Sequence, residues 1–234
     1  MAYQPMSRTL SRVRHPVKVA PKRAYDATGR RAAAGLTRRR ILQAARALFV
    51  ERGYAATTMT AIAEAADVSV ETIYLSVGQK AALVRQLVET ALSGTDEAIP
   101  ALERDVVKEV RAEPDQRRRL RMFARLICQV QERLAPIWRI ATEAAPGDAE
   151  LRSLLQELNE RHAGNMRLFV DHLAVAGGLR RGLAPEVAAD VVWAMNAPEF
   201  YSLLVRGRGW SGDKLEEWLA ETWARLLLDD PLSP

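Results

Sequence analysis

Gly53-Tyr54-Ala55-Ala56-Thr57-Thr58-Met59-Thr60-Ala61-Ile62-Ala63-Glu64-Ala65-Ala66-Asp67-Val68-Ser69-Val70-Glu71-Thr72-Ile73-Tyr74 is the stretch that decides the fold. Just upstream, from Thr37 to Tyr54, the apolar residues Ile41, Ala44, Ala45, Leu48 and Phe49 recur at i, i+3, i+4, i+7 and i+8, which predicts one buried helical face. Gly53 ends that helix. Thr57 and Thr58 supply hydroxyls that can cap a short second helix, with Met59, Ile62, Ala63 and Ala66 on one side. Asp67-Val68-Ser69 makes a tight turn, and Ser69 caps a third helix anchored by Val68 and Ile73. Two helices joined by a turn this short form a helix-turn-helix unit, and the chain is expected to be all-α around it.

The spacing from Gly53-Tyr54 through Thr57-Thr58-Met59, Ile62-Ala63, Ala66, Val68-Ser69 and Thr72-Ile73-Tyr74 to Lys80 and Leu83 resembles the DNA-binding domain of the tetracycline-repressor (TetR) family. Two departures stand out. Asp67 occupies a turn position where the family has Gly, and Asp tolerates positive φ better than most side chains. Leu75-Ser76-Val77 replaces the family's aromatic and basic pair after the tyrosine.

Groove chemistry then assigns expected contacts. The third helix is expected in the major groove, with Val70, Glu71, Thr72 and Leu75 toward base edges. Glu71 can accept from cytosine N4, Thr72 can bond a base or phosphate, and Val70 can pack on a thymine methyl. Thr57, Thr58, Ser69, Tyr74 and Lys80 complete the expected DNA-binding set; Tyr74 and Lys80 match family phosphate contacts. Without the motif, Tyr74 would read as a core aromatic and Lys80 as a solvated charge.

Charge distribution points the same way. Residues 1–40 hold eleven Lys/Arg against the single acid Asp26, whereas the chain as a whole is only +5, so the remainder is net acidic. A basic end on an acidic body suits a polyanion partner, because each neutralised phosphate releases counterions. Residues 1–36, with Pro5, Pro16 and Pro21, are expected to be a mostly disordered basic arm that either adds DNA contacts or serves as a solvated tail. Its composition also matches a transit peptide, but the prolines spoil any amphipathic helix. The lone Cys128 excludes an internal disulfide and suits a cytoplasmic protein; no apolar run reaches membrane-spanning length.

Beyond the DNA-binding domain, expected at residues 37–83, residues 84–234 carry helical periodicity throughout and enough apolar side chains for a core. A fourth helix is expected near Gln79–Leu92 and a fifth over Thr95–Arg111. After Pro114 comes a sixth, with Arg117, Arg118, Arg119, Arg121 and Arg125 forming a solvated face. Pro136 is expected to start a seventh, and a long helix over Ala149–Ala176 follows. Pro185 opens another, Pro198 kinks the chain, and Gly212–Leu228 forms the last, with Leu215, Trp218, Leu219, Trp223 and Leu226 along an apolar face.

The resemblance implies a homodimer joined by a four-helix bundle. Here that pairs the last helix with either the long helix or the Pro185 helix. It also implies a small-molecule effector bound inside the middle helices, with Phe123, Ile127, Trp138, His162, Met166, Phe169 and Trp193 as candidates. Each also reads as ordinary core, and His162 as a satisfied interior histidine. The function this implies is a ligand-responsive repressor on a palindromic DNA operator. No catalytic residue, metal site or cofactor is expected, since His15, His162 and His172 lack metal-ligand spacing. Gly207-Arg208-Gly209-Trp210-Ser211-Gly212 matches a dinucleotide motif in letters but follows a helix, not a strand. Two other readings stay open: an all-helical small-molecule receptor or enzyme that keeps the fold, and a sequence-tolerant DNA-binding protein using the basic arm.

Overall fold

A computed structural model describes residues 27–95 and 98–229, and every regular element among them is helical. Helix α1 spans Ala27–Ala56 and is interrupted at Gly53, whose φ of 79° and ψ of 169° are conformations that only glycine adopts freely. The helix thus begins ten residues before the expected Thr37. Thr37 is an interior residue, its hydroxyl donating to the Ala33 carbonyl at 3.1 Å. The early start has a physical cause: residues 27–36 are rich in Ala and Arg, good helix formers that carry no apolar stripe for periodicity to detect. The rest of the expected arm, residues 1–26, lies outside the described residues.

Two short helices, α2 (Met59–Ala66) and α3 (Val70–Ser76), complete the head with α1. Ile41, Phe49, Ile62 and Ile73 are fully buried between them, each contributing roughly 1.5–3 kcal/mol of burial. Connector α4 (Lys80–Ser93) then leaves the head. The expected fifth helix over Thr95–Arg111 is replaced by a 3-10 turn at Ala101–Glu103 and a short α5 (Asp105–Ala112). Pro100 enforces the break by barring α conformation at the residue before it.

Pro136 does not start a helix, contrary to expectation. It lies inside α6, which runs unbroken over Gln116–Ala144. A proline there forfeits one backbone hydrogen bond at a cost of about 3 kcal/mol, but Ala135, Pro136 and Ile137 are all buried, and α6 packs against α1 along this part of its length. The solvated reading of the arginine run fails at one position. Arg119 is only 4% exposed and folds back onto the Glu113 carbonyl and, at 3.0 Å, Gln116 Oε1.

The chain continues through α7 (Ala149–Val175), α8 (Pro185–Met195) and α9 (Pro198–Ser202). A π-helical turn at Leu203–Gly207 and α10 (Gly212–Leu227) complete it. One hydrophobic cluster joins the head and α4 to the second half of α6 and the first half of α7 without a polar break. A second cluster gathers the first half of α6, the second half of α7, α8 and α10 around fully buried Trp223. Cys128 lies in this second cluster, where burial, reinforced by Glu216 and Asp213, pushes its thiol up to about 12. Among the described residues no helix is long and apolar enough to cross a membrane.

Candidate functional site

The turn between α2 and α3 is built by three local devices. Thr58 caps α2, its hydroxyl accepting from the Ala61 amide at 3.0 Å, and Ser69 caps α3 by accepting from the Thr72 amide at 3.1 Å. Asp67 ends α2 at φ 51° and ψ 55°, the sole non-glycine residue with positive φ among the described residues. Arg40 of α1 reaches over and donates to the Ala66 carbonyl at 2.7 Å and the Asp67 carbonyl at 2.7 Å, satisfying the orphan acceptors at the end of α2.

These devices set which expected DNA contacts are presented. Glu71 is exposed, Tyr74 is 50% exposed and Leu75 82% exposed, all on the outer side of α3. Thr58 is exposed at the start of α2. Thr72 is half-buried and its hydroxyl shares a 2.8 Å hydrogen bond with Ser69 Oγ. Val70 leans back onto the head core. Thr57 is removed from the set: it is 1% exposed, and its hydroxyl donates to the carbonyls of Leu48 and Gly53 at 3.2 and 2.8 Å, so it fastens the α1–α2 corner from inside.

Lys80, the first residue of α4, holds its Nζ 4.2 Å from the centroid of the Tyr54 ring. Burial lowers its pKa while nearby Asp148 opposes that shift. Tyr54 donates its hydroxyl to Asp148 Oδ2 at 2.8 Å, and Asp148 also caps α7 by accepting from the Glu150 and Leu151 amides. Burial pushes the Asp148 carboxyl up, but the Leu151, Tyr54 and Glu150 hydrogen bonds and Arg152 outweigh it and hold the group below its ordinary value. A single carboxylate therefore joins the head, the start of the connector and the start of α7. None of these roles shows in periodicity.

Inside the body lies a cavity of about 160 Å³ walled by α4, α5, α6 and α7. Phe123, Ile127, Trp138, His162, Met166 and Phe169, six of the seven candidate effector residues, line it. Trp193 does not line it; it stands behind His162 with ring centroids 6.1 Å apart. Phe123 and Phe169 stack at 3.9 Å. His162 has no hydrogen-bond partner among the described residues, and burial lowers its pKa to about 4, so the imidazole is neutral near pH 7. The satisfied-histidine reading is thus not what the packing provides.

Sequence reasoning missed Gln131, Asn196 and Arg104, which also line the cavity. Gln131 donates to Asn196 Oδ1 at 3.2 Å, and its own buried Oε1 has no partner among the described residues. Arg104 donates to the carbonyls of Ile99 and Leu92 at 2.9 and 2.6 Å, which caps the end of α4. Two ion pairs tie α4 to α7: Arg85 with Glu157, bidentate at 2.8 Å, and Glu89 with Arg161 at 2.7 Å. Among the described residues no group of three or more His, Cys, Asp or Glu could hold a metal ion.

The family model described as "Bacterial regulatory proteins, tetR family" matches residues 41–87, the span from the first buried residue of the head into α4. No curated protein matches the sequence. Among solved structures, NalD, the secondary repressor of the MexAB-OprM multidrug efflux pump in Pseudomonas aeruginosa, is 24% identical over 85% of this chain and 99% of its own, with a TM-score of 0.66. The fatty acid degradation regulator FadR from Bacillus halodurans is 18% identical over 85% of this chain and 97% of its own, with a TM-score of 0.64. SmeT, in a complex with triclosan, is 19% identical over 85% of this chain and 94% of its own, at 0.64. Residues 41–87 thus match the tetR family of bacterial regulatory proteins, and the chain as a whole has the fold of these solved structures.

Proposed function

We propose that this protein is a ligand-responsive repressor that binds a palindromic operator as a homodimer and releases it when an effector fills the body cavity. The observation that carries this reading is the double use of α4. Val88 and Leu92 of α4 wall the cavity, while its first residue, Lys80, packs on Tyr54 of the head. An occupant with different affinity for two positions of α4 shifts the head by that difference.

On DNA, α3 enters the major groove with Glu71 and Thr72 toward base edges. Thr58, Tyr74 and Lys80 take phosphates. Lys80 swings off the Tyr54 ring to do so. Two such heads need a dimer, and the surface offered for it is apolar: Leu203 is 67% exposed beside half-exposed Phe200, Trp210 and Trp218, whose rings meet at about 6 Å. This favours α10 with its α8–α9 neighbours, and Trp223, buried within its own subunit, takes no part. The repressor role of NalD and the triclosan bound in SmeT support the same reading.

The test is binding to inverted repeats beside the coding region, measured by fluorescence anisotropy over a salt series. Lys80→Ala weakens all sequences alike and flattens the salt slope, whereas Glu71→Ala relaxes preference at one base pair. Equal affinity for the repeat and its scrambled version overturns the operator reading and favours the sequence-tolerant one.

A further inference from the structure

We propose that the effector is a small amphipathic organic anion, with an apolar body of about one aromatic ring seated among Phe123, Phe169 and Trp138 and a carboxylate held by Arg104. This rests on the effector-cavity reading above and adds the chemical class.

The sign of the charge comes from the wall. Arg104, Arg111 and Arg161 line the cavity, and among the described residues no Asp or Glu does. Arg161 already has a carboxylate in Glu89. Arg104 has none within ion-pair distance among the described residues; its Nε and Nη1 are spent on backbone carbonyls, and Nη2 has no partner there. Its guanidinium is half-buried, and the neighbouring Arg161 and Arg133 charges add to the burial in disfavouring its cation, with only Glu89 opposing. A cationic ligand would meet the Arg104 guanidinium, which no carboxylate among the described residues pairs. A neutral acceptor can take the Nη2 hydrogen but leaves the guanidinium charge without a counterion. A carboxylate supplies the charge-assisted, planar partner that the fork geometry prefers.

The size and polarity of the interior complete the description. An engineered cavity of about 150 Å³ accommodates benzene, so 160 Å³ here limits the body to one ring or a chain of similar bulk. The amide and imidazole side chains facing it, Gln131, Asn159, Asn165, Asn196 and neutral His162, carry no charge. Arg104 also caps the Leu92 carbonyl at the end of α4, so a carboxylate drawing on this guanidinium acts on the connector's own anchor.

The experiment compares probes that differ only at the head group: phenylacetate, phenylacetamide and 2-phenylethylamine, with hexanoate and hexanamide as a chain-bodied pair. Binding to the full chain is read by calorimetry and by tryptophan fluorescence. At least one carboxylate binds about tenfold or more tighter than its amide, and the amine does not bind. Arg104→Gln brings the carboxylate-to-amide ratio to near one while amide affinity stays unchanged, and the melting temperature falls because the Ile99 and Leu92 carbonyls lose their donor. If Arg104→Gln unfolds the chain, the wild-type ratio decides alone. An amide or the amine binding as tightly as the carboxylates overturns the anion assignment and leaves the cavity reading standing. Binding by none of the five overturns both, and operator affinity measured without any probe shows independently whether the DNA-binding reading survives.

Discussion

Replacing Tyr54 by Phe keeps the ring under Lys80 and removes only the hydroxyl that reaches Asp148 at 2.8 Å. A hydrogen bond to a charged acceptor contributes about 1.5–3 kcal/mol, and the half-exposed setting places this one near 1–1.5 kcal/mol. Asp148→Ala removes the same bond and also the α7 cap formed with the Glu150 and Leu151 amides, which adds about 1 kcal/mol. Tyr54→Phe therefore costs about 1 kcal/mol in wild type and close to nothing on the Asp148→Ala background. The assay is urea unfolding at fixed protein concentration, run as a double-mutant cycle at pH 7. The same coupling has a defined pH dependence. The folded carboxyl lies below its ordinary value of 3.8, so its contribution is present above that pH and is lost as pH falls through the lower folded value. Additivity of the two substitutions within about 0.3 kcal/mol would refute the joint between head and body.

Ile73→Ala empties a fully buried site under the recognition helix and should cost about 2–5 kcal/mol, seen as a lower urea midpoint. Asp67→Gly should be neutral or slightly stabilising at φ 51°, whereas Asp67→Val should lose 1 kcal/mol or more, both read by thermal melting. His162 is held neutral in the fold, its pKa falling from 6.5 to about 4, while the unfolded chain takes up a proton near 6.5. Stability therefore declines as pH drops from 6.5 toward 4, and His162→Gln should flatten that part of the melting profile. Arg40→Ala strips the cap from α2 and should weaken operator binding more than it lowers the melting temperature, because the turn that aims α3 loses its brace.

The head was readable because its signals are local. Gly53, the two hydroxyl caps and the stripe from Ile41 to Ile73 act within a few residues of one another, and even the unusual Asp67 announces a left-handed turn. Signals failed where a distant partner decides the outcome. Pro136 reads as a helix start until α1 is packed over it, and Thr57 reads as a phosphate ligand until the carbonyls of Leu48 and Gly53 claim its hydroxyl. The stripe residues Phe123, Ile127, Met166 and Phe169 were found because a cavity wall repeats as a core face does. Arg104 and Gln131 were not, since a guanidinium or amide has no periodic signature that distinguishes an interior wall from a solvated face.

Cys128 is buried, and its thiol stays protonated at any pH where the protein would be handled. Alkylating probes react with thiolate, so the native chain is chemically silent toward them. New cysteines at exposed sites such as Thr60 or Glu71 could carry paired spin labels without editing the background. Pulsed dipolar spectroscopy on a labelled dimer would then report the spacing of the two heads directly, with and without a carboxylate in the cavity.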